Sequence, residues 1–170
     1  MTDRPPVEQR VLAHLAALGF PFELLTCEED RADTRTFCAD TGYALENAAN
    51  TLLVTSRGSN RVYAACVLLA STRLDNRTCR SLLGCNRTSF ATTDDVRALT
   101  GMLVGGVTVF GLPENWPIYV DGRVYDQPFV ILGSGARHGK IRISPDVFTV
   151  LRNVRRVNDL AVPVDEPDRG

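Results

Sequence analysis

The stretch GMLVGGVTVFG at residues 101–111 carries four glycines around two short apolar runs. Glycine-bearing loops also accompany the segments PIYVD at 117–121 and GSGARHGKIRISP at 133–145. Because glycine has no Cβ atom, the main chain of such loops can approach a ligand that a larger residue would keep away. The three segments together predict a site built largely from backbone N–H and C=O groups.

Helices and strands interleave on both sides of this stretch. Apolar spacing and capping residues predict helices at 7–18, 34–41, 75–84 and 93–101, a helical turn within 44–50, and a last helix at 147–154 opened by Ser144. Strands are predicted at 22–26, 51–56, 62–70, 118–121, 129–132 and 140–143. The run at 62–70 is apolar on both faces and follows the turn RGSN, so we expect a hairpin whose second strand is central.

The order of these elements does not fit an alternating parallel scheme, because hairpins and closely spaced strands interrupt it. We therefore predict an α+β fold, with a mixed and mostly antiparallel sheet surrounded by helices. The length of 170 residues suits one core, so residues 1–160 are expected to form a single domain. Residues 161–170 are acidic, contain two prolines and lack an apolar period, which predicts a flexible tail.

The composition argues against several classes of protein. No signal-peptide pattern and no apolar run of the roughly 18 residues that a membrane span needs is present, so we expect a cytoplasmic protein without a membrane partner. The five cysteines lack a C-x-x-C pair or matched histidines, so no metal site and no cofactor is predicted. The net charge is −1, and Lys140 is the single lysine beside eighteen arginines, so a nucleic acid would have to bind at a local patch.

Together with the N-terminal helix and the run TGYALENAANTLLV at 41–54, the glycine segments follow a recognisable order. Over roughly residues 7–152 the chain resembles the YbaK/prolyl-tRNA synthetase-associated editing domain family, whose members hydrolyse wrongly charged aminoacyl-tRNA. The resemblance implies the fold predicted above and a trans-acting aminoacyl-tRNA deacylase that removes small misacylated amino acids. It implies the aminoacyl-tRNA 3′ end as the partner, an aminoacyl-tRNA synthetase as a further candidate partner, and no cofactor.

The resemblance also implies which residues form the site. The family's loop of pattern G-x-x-x-P corresponds to residues 105–109, with Val109 at the proline position, and the family's lysine corresponds to Asn50. Gly105, Gly106 and Asn50 are therefore the predicted catalytic positions. The mechanism usually proposed for the family uses loop backbone, a water and the tRNA 2′-hydroxyl instead of a side-chain nucleophile. The residues predicted to bind substrate are Gly101, Thr108, Val109, Phe110, Asp121, Gly133, Ser134 and Gly135.

Some of these positions have explanations that need no ligand. A turn accounts for Asp121 and for the Gly-Ser-Gly sequence at 133–135. Aromatic residues that are candidates for the wall of an amino-acid pocket also suit a plain core, namely Phe22, Phe37 and Tyr43.

The departures from the family pattern at Asn50 and Val109 favour an alternative function. An amide at position 50 can replace an ammonium only as a neutral donor, and valine stiffens a loop less than proline. In this alternative the chain has lost hydrolysis and is a binding module for a tRNA end or a protein. A small-molecule hydrolase using the same pocket is a third alternative.

Overall fold

A computed structural model describes residues 3–164, which form five α-helices and ten β-strands. The helices are α1 Pro6–Leu18, α2 Thr34–Thr41, α3 Asn76–Leu83, α4 Thr93–Thr100 and α5 Gly122–Tyr125. The strands are β1 Phe22–Thr26, β2 Ala49–Ser56, β3 Tyr63–Leu69, β4 Thr72–Leu74, β5 Thr88–Phe90, β6 Ile118–Asp121, β7 Val130–Gly133, β8 Gly139–Ile143, β9 Val154–Val157 and β10 Ala161–Pro163. Short 3₁₀ turns lie at Glu29–Arg31, Leu45–Asn47 and Pro145–Thr149.

Most of the strands belong to two sheets. The larger sheet has the order β5-β2-β3-β6-β9, in which β6 runs parallel to β3 and to β9 and the other pairs are antiparallel. The smaller sheet is antiparallel with the order β1-β8-β7, and β4 pairs separately with β10. The predicted α+β class with mixed, mostly antiparallel pairing is confirmed, as is the central position of β3.

Strand β3 separates two apolar clusters, because successive side chains of a strand point to opposite faces. Its odd-numbered side chains from 65 to 69 pack with α1 and the smaller sheet. Its even-numbered side chains from 64 to 68 pack with Cys79 of α3 and with Leu160. Burial on both faces explains why the sequence of β3 is apolar throughout.

The predicted helix ends are largely confirmed. Helix α1 ends at Gly19, which adopts a left-handed conformation with φ 68°. The Asp75 carboxylate caps α3, and Thr92, one residue before the predicted start at residue 93, caps α4. No helix in the described part of the chain is long and apolar enough to cross a membrane.

The predicted helix at 147–154 is wrong. Only a 3₁₀ turn forms there, Asn153 adopts a left-handed conformation with φ 62°, and the chain continues as β9 beside β6. Valines at both ends of β9 are β-branched and favour a strand once β6 offers a pairing edge.

The flexible tail predicted from Ala161 onward is corrected at its start. Residues 161–163 pair with β4 as β10, and Ala161 and Val162 are buried. These residues are held by the apolar surface around Leu160 and not by any period of their own. Residues 165–170 of the predicted tail lie outside the described residues.

Candidate functional site

A cleft of about 240 Å³ lies between strands β2 and β7. Polar side chains reach it from Thr34, Asn50, Thr51 and Lys140, and Gly105 and Gly133 contribute main chain. The apolar lining includes the buried side chains of Phe37, Leu53, Val96 and Ile131. The exposed side chains of Phe90 and Val104 mark its opening to solvent.

The edge of β2 on the side of the cleft is unpaired over its middle residues. β2 pairs with β5 only at its C-terminal end, and it meets β7 through a single bridge between Ala48 and Ile131. The N–H of Ser56 donates to Val62 O, so the even-numbered residues of β2 bond to β3 and the odd-numbered ones face away. The N–H and C=O of Thr51 are therefore directed away from β3, toward the cleft.

Two glycine loops pack against each other behind the cleft. A Cβ atom on Gly106 would lie 2.3 Å from Ala136 O, and one on Gly133 would lie 2.5 Å from Gly106 O. The N–H of Gly135 donates to Gly106 O at 2.6 Å. Glycine at positions 106 and 133 permits this close approach, which fixes Gly105 beside the cleft.

Lys140 in β8 reaches the same loop. Its Nζ donates to Gly105 O at 2.8 Å, and the residue is only 5% exposed. Burial lowers the pKa of its ammonium, and the positive charge of Arg137 lowers it further. Gly105 has a φ of 88°, a backbone conformation that glycine adopts readily, and this carbonyl position depends on it.

Asn50 lies in β2, because this strand begins two residues earlier than predicted. Its amide oxygen accepts a hydrogen bond from the Thr34 hydroxyl at 2.8 Å. The side chain is half-buried and lines the cleft. The remaining donor of the amide is its NH₂ group, which is neutral and provides no charge for an anionic ligand.

Only part of the predicted site comes together at the cleft. Gly105, Gly133 and Asn50 line it, and Gly106 packs directly behind it. Ser134 is buried, and its hydroxyl donates to Ala136 O at 3.4 Å.

Other predicted binding residues lie apart from the cleft lining. Gly101 ends α4 next to the Arg10 guanidinium. Gly135 lies against Val7 and Val11 of α1. The residues that are buried in the core are Thr108, Val109 and Phe110.

Asp121 is a structural anchor in this fold and not part of the cleft lining. Its buried carboxylate accepts the N–H groups of Arg123 and Ala161, each at 2.9 Å. The Arg123 guanidinium lies 3.3 Å from the same carboxylate. These contacts join the start of α5 to β10.

The site predicted from sequence does not include Lys140. Of the three aromatic residues proposed as walls of the pocket, one lines the cleft. Phe37 lines the cleft, whereas Phe22 and Tyr43 do not. The sequence did contain evidence that could have identified Lys140. It is the single lysine of an arginine-rich chain, and it lies within the strand GKIRI. A lone ammonium in such a strand indicates a specific contact.

Comparisons with known proteins identify the family and the fold of the chain. The family model described as "Aminoacyl-tRNA editing domain" matches residues 28–150. The solved structure of the hypothetical protein APE2540 is 25% identical with a TM-score of 0.79, covering 90% of this chain and 99% of that chain. A structure described as a "putative trans-editing enzyme for prolyl tRNA synthetase" is 21% identical with a TM-score of 0.79, covering 92% of this chain and 98% of that chain, and this likeness shows the fold alone. No curated protein matches the chain.

Proposed function

Because this chain belongs to the aminoacyl-tRNA editing domain family, we propose that it is a trans-acting deacylase that removes small misacylated amino acids from tRNA. The observation that carries the proposal is the cleft, which combines apolar walls with an unpaired strand edge. Apolar walls suit a small side chain, and main-chain groups suit the ester and amino groups that all aminoacyl-tRNAs share. The partner is then the tRNA 3′ end, and no cofactor is required.

The size of the cleft limits the amino acid. Its volume of about 240 Å³ is below the roughly 300–1,000 Å³ of most small-molecule pockets. An extra methylene changes binding by only about 1–3 kcal/mol, so selection by affinity alone is weak. Larger side chains are instead excluded by contact with the walls at Phe37 and Val96, both of which are buried.

Hydrolysis in this cleft proceeds without a side-chain nucleophile. Within the described residues, the lining contains no cysteine, histidine or carboxylate. The oxygen of a water attacks the ester carbonyl carbon, and the bond from that carbon to the ribose oxygen breaks. A proton passes from the water to the ribose oxygen through the neighbouring 2′-hydroxyl, which leaves a free amino acid and a free tRNA end.

Phe90 supplies a surface for the terminal base of the tRNA. It is the last residue of β5, is 60% exposed and lines the opening of the cleft. Proteins bind single-stranded RNA ends by stacking bases on aromatic side chains, which contributes about 1–3 kcal/mol per base. A base on this ring directs the attached aminoacyl group into the cleft.

A deacylation assay over tRNAs charged with amino acids of increasing size tests the proposal. We expect release of small amino acids above the spontaneous rate and retention of large ones. Val104→Trp should block release because Val104 lines the opening, whereas Val62→Trp is a matched control at an exposed valine outside the lining. Tight tRNA binding without release from any member would contradict hydrolysis and support the binding-module alternative.

A further inference from the structure

The ammonium of Lys140 is buried beside the cleft. Within residues 3–164 no carboxylate forms an ion pair with it. The charged or titratable groups that shift the pKa of its ammonium are Cys27, Asp33, Cys38 and Arg137. Asp33 is the carboxylate among them, and it accepts the N–H and the hydroxyl of Thr36. Burying a charge is costly unless the charge is paired, so an unpaired ammonium beside a cleft indicates a ligand that carries negative charge or develops it during a reaction.

The hydrogen bonds of Lys140 lead to the same conclusion. An ammonium has three N–H donors, and one of them reaches Gly105 O at 2.8 Å. No other acceptor binds Nζ within the described part of the chain. Since Lys140 and Gly105 both line the cleft, the other two donors are free for a molecule bound there.

We propose that Lys140 is the oxyanion-binding residue of the cleft, its ammonium donating to the acyl oxygen of the bound aminoacyl group. This assignment rests on the deacylase function proposed above. When water adds to the carbonyl carbon, the electron pair of the C=O bond moves onto that oxygen and the ammonium stabilises the negative charge. The pair returns when the bond to the ribose oxygen breaks, and Lys140 keeps its protons and forms no covalent bond.

The position of Lys140 favours the acyl oxygen over a tRNA phosphate. Phosphates are strongly hydrated, whereas Lys140 is 5% exposed and lies within a mostly apolar lining. A preorganised donor in such a site acts most strongly on charge that develops during the reaction.

Arg137 is a second cation that braces the loop around Val104. The guanidinium of Arg137 donates to Val104 O at 2.6 Å and to Glu29 O at 3.0 Å. Arg137 is not among the residues that line the cleft. Arg137→Met is therefore a matched control, because it removes a brace from the same loop and leaves the charge of the cleft in place.

Binding of acetate and acetamide, measured by NMR at the amide signals of Gly105 and Val107, tests the assignment without any activity. The wild type should bind acetate about tenfold or more tightly than acetamide, as expected for a hydrogen bond to a charged group. Lys140→Met should lose this preference and Arg137→Met should keep it. Equal binding of both probes by the wild type, loss of preference in both variants, or preference for inorganic phosphate over acetate would overturn the proposal.

Kinetics give a second readout. Lys140→Met should lower kcat by about 100-fold, as loss of an oxyanion donor does, while KM for misacylated tRNA changes little. Lys140→Arg should recover part of kcat. If the wild type binds acetate selectively but releases no amino acid, the deacylase function fails and the anion site at Lys140 stands. If release survives intact in a folded Lys140→Met variant, the oxyanion role fails and the deacylase function stands.

Discussion

The hydroxyl of Thr34 donates to the amide oxygen of Asn50 at 2.8 Å, which joins the first residue of α2 to strand β2 at the cleft. This contact holds the Asn50 side chain in place and uses its only acceptor. A lysine at position 50 could not accept this hydrogen bond. The amide therefore suits the site of a chain whose positive charge comes from Lys140 on another strand.

Asn50→Lys should restore activity only when Lys140 is absent. In the wild type two ammonium groups in one cleft disfavour each other, so we expect little gain in kcat/KM. In Lys140→Met the new lysine should raise kcat/KM by about tenfold, the effect of regaining a charge-assisted contact. Deacylation kinetics of the two single variants and the double variant check this. A similar large gain in both backgrounds would contradict a shared role for the two positions.

Gly106→Ala should destabilise the protein and impair the cleft. Its Cβ would lie 2.3 Å from the backbone oxygen of Ala136, so the two loops have to separate, at a cost of about 1–3 kcal/mol. Gly42→Ala is the control, since Gly42 has a φ of 82° and open space around it and should lose about 1 kcal/mol without loss of deacylation. Urea unfolding and turnover of both variants give the comparison. Unchanged turnover in Gly106→Ala would show that the loop contact does not shape the site.

Asp121→Ala should lower stability without lowering activity per folded molecule. Its buried carboxylate accepts the N–H groups of Arg123 and Ala161, and hydrogen bonds to a charged group contribute about 1.5–3 kcal/mol. Asp159→Asn, an exposed partner of Arg123 at 3.8 Å, should change stability by less than about 1 kcal/mol. Denaturant unfolding and kcat/KM measured together separate the roles. Loss of kcat/KM in an Asp121→Ala variant that keeps full stability would show that Asp121 belongs to the binding site.

The longer elements of this fold were predictable from sequence, and the three-residue strands were not. Helix α1 shows a clear helical period over thirteen residues, and strand β3 is a continuous apolar run of seven. Strands β4 and β10 have three residues each and pair Leu74 with Ala161, which are far apart in the chain. Three residues are too few to show a period, and their pairing depends on tertiary contacts. The same limitation explains the helix wrongly predicted where β9 pairs with β6.

The glycines of the candidate site were predictable from the loops that contain them, and Asn50 from the family resemblance. Gly105 and Gly133 stand out because glycine pairs interrupt apolar runs. The role of Lys140 depends on register instead, since β8 pairs on both sides and places Lys140 opposite Leu25 and Gly133. The sequence around Asp121 fits a turn residue, a ligand and a buried anchor equally well. Its role as an anchor depends on β10, which was not predicted from sequence.

Phe90→Ala should weaken tRNA binding more than it slows the chemical step. Loss of a stacked base costs about 1–3 kcal/mol, so KM for misacylated tRNA should rise roughly tenfold while kcat is nearly kept. Phe90→Trp should preserve KM, because a larger ring stacks equally well. Leu99→Ala is the matched control, an exposed apolar side chain outside the cleft lining. Equal KM values for Phe90→Ala and Leu99→Ala would contradict a base on this ring.

Raising the pH should stabilise the wild type relative to Lys140→Met. Burial lowers the pKa of Lys140 below its ordinary 10.5, so between the folded pKa and 10.5 the unfolded chain binds more protons than the folded one. The free energy of unfolding then rises with pH across that window, by at most about 1.4 kcal/mol per pH unit, whereas below the window the cost of the buried charge is fully present. Two thiols titrate near it, Cys27 and Cys38, and the charge of Lys140 lowers the pKa of each. Loss of that charge raises both pKa values further, so the free energy of unfolding of Lys140→Met falls further with pH and the difference grows in the same direction. Urea unfolding of the two proteins at pH values from 7 to 10.5 checks this. If the free energy of unfolding of the wild type relative to Lys140→Met stays constant or falls, burial of the ammonium does not destabilise the folded protein.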